Sequence, residues 1–393
     1  MAKKTLAVVT GTRAEYGLLR PVIQKLLKCE DITPKVLVTG AHLCAEYGNT
    51  VEEIEADGVP IASRIPILKF GQGPLATADT VAYTISQFSR WFVENRPDAV
   101  LVLGDRYEIF AVAQAAAMTG VPIAHISGGD VTLGAADDYY RHCITKMAHL
   151  HFPSCEVYAQ RVIRMGEAPD TVFNVGGLGD ENIRTMQKMS RQELSESLQF
   201  DLSGPFALVT FHPETAGGAS PTQQVQELLA AMEKIGEEQP ISWLITKANA
   251  DAGGLAINVL LDEWVEQHPE RAMAFTSLGV KRYLSAMQYA SMVVGNSSSG
   301  VVETPTFGVP TINIGQRQAG RIICENVICC DAVQSEIEAA LRKAGTPEFV
   351  QVAAHTASPY NGGNTSERIV EILRSQMARP EFGAPKAFYD GVQ

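Results

Sequence analysis

At 393 residues the chain is long for one hydrophobic core and suits two domains of ordinary size. Hydrophobic residues make up 46% and charged residues 19%, which excludes a disordered chain, and no apolar run approaches the roughly 18–20 residues of a membrane span. The formal net charge of −12 excludes a generic nucleic-acid binder, so any anionic ligand must be met by a local cluster of arginines.

The N-terminus leads at once into Leu6–Thr10, a strand-like run too short for the apolar core and cleavage site of a signal peptide. Cysteines 29, 44, 143, 155, 324, 329 and 330 are scattered and form no C-x-x-C pair, which points to free thiols in the cytoplasm and to no zinc site. After the first strand comes Thr10-Gly-Thr-Arg13-Ala-Glu-Tyr-Gly17. It is not the G-x-G-x-x-G of a dinucleotide fold. A glycine turn there presents Arg13 for phosphate or base contact, or else leaves it on the surface of a plain strand-to-helix turn.

A helix is expected over Leu18–Leu27 and strands over Thr33–Thr39 and Ala99–Leu103. The last is very apolar and runs into Gly104-Asp105-Arg106-Tyr-Glu108, where a carboxylate beside an arginine is either a reactive placement or a salt-bridged cap. A helix over Ile109–Met118 and a strand over Pro122–Ile126 follow, and the strand carries His125-Ile-Ser-Gly-Gly-Asp130. Asp137-Asp138 and Arg141-His142 come next, before a strand at His149–Phe152. Two glycines let a ligand approach the backbone, and paired acids can have their pKa values pushed apart into a base and an acid. The competing reading is a capped helix with Asp137 and Asp138 near its positive end, but the density of acids, histidine and glycines favours function.

The text turns polar over Met186–Ser203, where the interdomain linker is expected, separating a domain at 1–185 from one at 200–365. Strands are expected over Phe206–Phe211, Ile241–Thr246, Met292–Val294 and Thr311–Ile314. His212 follows the first, in His212-Pro-Glu-Thr215, a placement suited to shuttling a proton or bonding a phosphate. The third runs into Gly295-Asn-Ser-Ser-Ser-Gly-Val-Val-Glu303. If a helix resumes at Val301, its N-terminus and Ser297, Ser298 and Ser299 suit a diphosphate, with Glu303 one turn deeper to accept from a sugar diol; an ordinary serine cap is the even alternative. Gly315-Gln-Arg317-Gln-Ala-Gly-Arg321 offers two arginines four residues apart, a diphosphate clamp. A last helix over Glu367–Ala378 and a tail make up 366–393, expected to pack back on the N-terminal domain. Short strands alternating with amphipathic stretches predict parallel α/β units, here two Rossmann-like domains facing a cleft, with ligands at the carboxyl ends of the strands.

Taken in order, Gly11-Thr-Arg-Ala-Glu-Tyr-Gly, Gly104-Asp-Arg-Tyr-Glu-Ile-Phe, Arg141-His-Cys-Ile-Thr-Lys-Met, Phe211-His-Pro-Glu-Thr, Gly295-Asn-Ser-Ser-Ser-Gly and Ile312-Asn-Ile-Gly-Gln-Arg-Gln-Ala-Gly-Arg resemble the hydrolysing UDP-N-acetylglucosamine 2-epimerases of sialic-acid biosynthesis, in the wider glycosyltransferase-B-like superfamily. The resemblance spans nearly the whole chain and implies a two-domain fold with UDP held mainly by the second domain. It implies that Ser298 and Ser299 take the diphosphate and Glu303 the ribose, with Arg13, His212 and Arg317 closing over the phosphates. Arg106, Ser297 and Asn249 would lie by the nucleotide-sugar, and the uracil would rest against Leu278-Gly279. The implied reaction eliminates UDP across C1–C2 to a glycal, then adds water with protonation of C2 from the other face. Asp105 and Asp137 match family acids. Many relatives carry Glu where this chain has Ser127, so Asp130 takes over that role or the base assignment differs. The resemblance implies a homo-oligomer, dimer or tetramer, and no motif requires a metal or cofactor. A UDP-2,4-diacetamido-2,4,6-trideoxyglucose substrate, a glycosyltransferase of the same fold, a non-hydrolysing epimerase and a nucleotide-sugar sensor are the alternatives.

Overall fold

Short apolar runs, each feeding an amphipathic helix, build two six-stranded sheets in the computed structural model, which describes residues 3–45, 48–69, 73–132, 136–214, 220–248 and 254–391. The chain divides into two compact units, residues 1–182 with 359–393, and residues 183–358.

The first unit contains β1 (Lys4–Thr10), β2 (Ile32–Thr39), β3 (Ile61–Ile65), β4 (Ala99–Leu103), β5 (Ile123–Ile126) and β6 (Leu150–Phe152). They lie in the order β3-β2-β1-β4-β5-β6, every pair parallel. The second contains β7 (Phe206–Thr210), β8 (Ser242–Thr246), β9 (Ala272–Phe275), β10 (Met292–Gly295), β11 (Thr311–Ile314) and β12 (Val327–Cys330). Its order, β9-β8-β7-β10-β11-β12, repeats the first, again all parallel. In each sheet the first strand sits beside the fourth, and the winding reverses between them. Such a switch point opens a crevice at the carboxyl ends of its two strands, where α/β proteins bind ligands.

Strands covered by helices on both faces read as continuous apolar runs, and β4 and β7 are buried along their full length. The helix over Arg13–Leu26 opens with a capping box between Thr12 and Glu15 and lays Tyr16, Leu19, Val22, Ile23 and Leu26 on the sheet. The helix over Thr365–Met377 adds Ile369, Val370, Leu373 and Met377 to the same core.

The three strands missing from the sequence reading, β3, β9 and β12, are all sheet edges. An edge strand is only half covered, and β3 (Ile-Ala-Ser-Arg-Ile) is correspondingly interrupted by polar residues. The polar stretch read as a linker is instead structured. Ser190 and Glu193 form a capping box for a helix over Arg191–Leu198, and Leu194 and Leu198 are buried in the second unit's core. Its polar letters are the solvent face of an amphipathic helix, and the chain passes between units earlier, at Asn182–Ile183. Among the described residues no helix is long and apolar enough to cross a membrane.

Candidate active site

At the first unit's switch point, Asp105 follows β4 and receives two N–H groups of Arg141, one from Nε at 2.9 Å to Oδ2. Arg141 stands on the helix over Ala136–Met147 and is only 4% exposed. Its guanidinium also donates to the Asp130 carbonyl at 3.0 Å, Asp138 Oδ1 at 3.1 Å and Thr132 Oγ1 at 3.1 Å. One buried cation thus draws together the loops after β4 and β5 and the first turn of a helix. Asp137 is exposed as a residue, yet its carboxyl is raised above the usual range, first by partial desolvation and then by Asp105, with Arg106 and Arg141 pulling the other way.

His125, on β5, is fully buried, and its Nε2 lies 2.8 Å from the Gly104 carbonyl. Burial drives its pKa down to about 3, so the ring is neutral, and a carbonyl partner makes Nε2 the donor. The histidine therefore fixes the turn that carries Asp105. Beyond it the backbone is tightly constrained. Ser127 has φ of +66°, a left-handed conformation that costs a non-glycine residue about 1–2 kcal/mol. A Cβ on Gly129, itself at φ +88°, would stand 2.5 Å from the Tyr158 carbonyl.

Asp130 is placed differently from the other two acids. Arg141 holds its backbone carbonyl, while the field of its carboxylate falls on Cys155 and Tyr360, inside the unit. Asp105 and Asp137 are thus coupled electrostatically, while the charge of Asp130 acts on Cys155 and Tyr360. Arg106 donates to Glu108 at 2.7 Å and lies 4.0 Å from Glu15. Glu15 is buried and accepts the Gly11 N–H at 2.6 Å and the Thr12 N–H at 3.2 Å. Burial pushes its carboxyl up to about 7. Arg13 is exposed and pairs with Glu53 at 2.8 Å.

At the second unit's switch point the organiser is Asn296, fully buried after β10. Its Oδ1 accepts the His212 N–H at 2.7 Å and its Nδ2 donates to the His212 carbonyl at 2.8 Å. Its own carbonyl accepts from Arg317 Nη1 at 3.2 Å and Gln318 Nε2 at 2.8 Å. Glu214 accepts the Gln316 N–H with both oxygens, at 3.0 and 3.1 Å. The loops after β7, β10 and β11 are therefore tied into one body, which brings His212, the serines and Arg317 together. Gly295 makes this possible. At φ +132°, any Cβ would lie 1.9 Å from the Thr210 carbonyl.

The helix considered from Val301 is only one turn, Ser299–Val302, with a second turn at Thr304–Phe307. Pro305 interrupts it, since proline lacks an N–H and crowds the carbonyl one turn back. So short a helix has little dipole, and charge for an anion must come from side chains such as Arg317 and His212. Nor is this an ordinary serine cap, because Ser298 makes no capping hydrogen bond with its side chain. Glu303, beside Ser299, has its carboxyl raised by burial, with the serine hydroxyl opposing. Leu278 is buried, and Gly279, at φ +65°, opens the helix over Gly279–Tyr289 with its N–H given to Ser277 Oγ at 3.1 Å. Asn249 lies outside the described residues. Glu15, Glu108, Glu214, Tyr283 and Asn296 were not singled out from sequence. Glu15, Glu108, Glu214 and Asn296 sit inside motifs that were.

Two doubly wound sheets, each gathering polar loops at its switch point, define a glycosyltransferase-B-like α/β fold. The family described as UDP-N-acetylglucosamine 2-epimerase matches residues 24–374. Over 351 residues the chain is 37% identical to the GDP/UDP-N,N'-diacetylbacillosamine 2-epimerase (hydrolyzing) of Campylobacter jejuni, covering 89% of this chain and 90% of that protein. It is 35% identical over 387 residues to the polysialic acid biosynthesis protein P7 of Escherichia coli, covering 98% and 97%. In fold it is similar to the crystal structure of UDP-GlcNAc 2-epimerase from Neisseria meningitidis bound to UDP-GlcNAc, with a TM-score of 0.77 and 20% identity over 95% of this chain and all of that one. The chain belongs to the UDP-N-acetylglucosamine 2-epimerase family, whose members are UDP-sugar 2-epimerases.

Proposed function

We propose that the protein is a hydrolysing 2-epimerase, working in the cytoplasm as a homo-oligomer, that frees UDP from a UDP-2-acetamido sugar with inversion at C2. The observation that carries this reading is Asp105 locked to buried Arg141 beside an Asp137 whose carboxyl is raised. Asp105, held against a fixed cation, serves as the carboxylate that removes the C2 proton. The C2–H electrons form the C1=C2 bond as the C1–O bond breaks, and UDP departs. Asp137, which retains its proton more readily than a free aspartate, delivers one to C2 from the opposite face while water adds at C1 and gives its own proton to Asp137, and the proton held by Asp105 passes to solvent. Substrate plus water becomes the 2-epimer plus UDP. Asp130 supports the loop and leaves proton transfer to the other two, so no carboxylate is needed at Ser127.

On the other unit, Ser297, Ser298, Ser299, His212 and Arg317 receive the departing charge, pre-assembled by Asn296. Glu303 takes the ribose, Leu278-Gly279 the uracil, and Arg13, Arg106 and Asn249 complete the substrate contacts. With UDP-N-acetylglucosamine the product is N-acetylmannosamine, the reading favoured by the Escherichia coli relative named for polysialic acid biosynthesis. The second reading, UDP-2,4-diacetamido-2,4,6-trideoxyglucose, is favoured by the Campylobacter jejuni relative named for diacetylbacillosamine.

Each UDP-sugar is incubated with the protein in D2O without any acceptor, and products are read by NMR. The expected result is free UDP with a 2-epimerised sugar carrying deuterium at C2, from one substrate far faster than the other. No UDP release without an acceptor would favour a transferase, and a UDP-linked epimer would make the enzyme non-hydrolysing.

A further inference from the structure

Two buried polar atoms beside the serine loop are left over by the protein itself. One is Glu303 Oε2 and the other is the phenolic oxygen of Tyr283, and neither has a partner in good hydrogen-bond geometry within the protein. Tyr283 lies one turn into the helix over Gly279–Tyr289, and its ring packs on the core that contains Leu278, Ala286 and Met287. The hydroxyl end interacts only loosely with the hydroxyls of Thr210, Ser297 and Ser299, which draw its pKa down, and feels the opposing charge of Glu303. Glu303 in turn faces Ser299. A donor and an acceptor, both desolvated and both short of a well-formed hydrogen bond, therefore flank the same serine.

Leaving such groups unpaired costs about 1–3 kcal/mol each, so an arrangement of two calls for a partner. The partner's chemistry follows from their polarity. A carboxylate only accepts and repels a phosphate oxygen, whereas a protonated phenol donates. A ligand hydroxyl satisfies both at once, giving its hydrogen to Glu303 and accepting one at its oxygen. Burial first, and then Glu303, hold the Tyr283 hydroxyl above its ordinary pKa, so it remains a donor.

We propose that Tyr283 is a ligand-contacting residue that, together with Glu303, recognises a hydroxyl of the nucleotide's ribose. This rests on the UDP-sugar reading of the same loop. It adds a requirement that reading does not contain, since it makes the phenolic oxygen, and not the aromatic ring, the recognition element. The ring fixes the oxygen with only two rotatable bonds, so little entropy is lost when the hydrogen bond forms.

The test is equilibrium binding of UDP, 2′-deoxy-UDP and 3′-deoxy-UDP to the full-length wild-type and Tyr283→Phe proteins. The substitution retains the ring, and unfolding temperature checks that the fold is unchanged. Tyr283→Phe is expected to weaken UDP binding about tenfold, one buried hydrogen bond. The loss should shrink to less than about twofold on the deoxy analogue that lacks the contacted hydroxyl, because both changes delete the same bond. A loss of equal size on all three ligands would mean that the phenol merely holds the serine loop, and would overturn the proposal. So would unaltered UDP binding. If wild-type protein binds none of the three, the nucleotide reading itself fails; if it binds UDP normally and Tyr283→Phe does too, only the present proposal fails.

Discussion

Replacing Asn296 with alanine removes both side-chain hydrogen bonds to the backbone of His212, at 2.7 and 2.8 Å, from a position with no exposure. The stranded N–H and C=O of His212 each cost about 1–3 kcal/mol if they stay dry. Water entering the space left by the side chain recovers part of that, so about 2–4 kcal/mol is expected for the pair. In a unit of this size each kcal/mol lowers the midpoint by about 2–4 °C, so that unit's thermal transition should fall by about 5–15 °C. The loss in function should be larger in kind, because His212, the serines and Arg317 cease to be held as one body. Displacements of about 1 Å in such groups cost on the order of a hundredfold in turnover. Asn296→Asp is the informative companion. It retains an acceptor for the His212 N–H but sets a carboxylate against the His212 carbonyl, and should recover only at acid pH where it is protonated. Differential scanning calorimetry and steady-state UDP release measure both. An Asn296→Ala protein with an unshifted transition and unchanged kcat/KM would show that the loops do not depend on this brace.

Arg141→Lys should abolish most activity despite keeping a positive charge, since an ammonium cannot reproduce the planar fork that holds Asp105, Asp138, Thr132 and the Asp130 carbonyl; loss of deuterium incorporation at C2 is the readout. Gly295→Ala places a Cβ 1.9 Å from the Thr210 carbonyl at φ +132° and should cost more than about 3 kcal/mol, seen as a collapsed unfolding midpoint or insoluble expression. Glu15 gives a pH signature. Its folded pKa of about 7 exceeds the ordinary carboxyl value of 4.5, so between the two the folded state holds a proton that the unfolded state has lost, and stability falls as pH rises through that window. The loss amounts to about 3 kcal/mol, and Glu15→Gln, which mimics the protonated form, should flatten the dependence of unfolding temperature on pH between 5 and 7.

The parts of the fold that could be read from the sequence are those buried on both faces. Strands β1, β4, β7 and β10 announce themselves because nothing polar interrupts them, and each is followed at once by a motif. The edges β3, β9 and β12 escape because half-covered strands tolerate Ser and Arg in β3 and partly exposed residues throughout. The helix over Arg191–Leu198 escapes for a related reason, since only Leu194 and Leu198 of its eight residues are buried. The site residues divide similarly. Asp105 and His212 show themselves by standing at strand ends, and Asp137 by the density of acids between β5 and β6. Asn296 and Glu214 act on partners 84 and 102 positions away, which only strand adjacency reveals. The field that Asp130 exerts on Cys155 and Tyr360 depends on tertiary packing, and spacing carries no information about that.

The guanidinium of Arg141 has a consequence for anyone seeking to block this enzyme. A guanidinium carries five N–H groups, and here five hydrogen bonds leave it, all to acceptors within its own unit. It has no donor left over for a visitor. An inhibitor that presents a carboxylate or phosphate to this arginine gains nothing unless it first breaks a buried ion pair. Better use of the same space comes from groups that donate, an amine or hydroxyl aimed at the outward edges of Asp105 and Asp137.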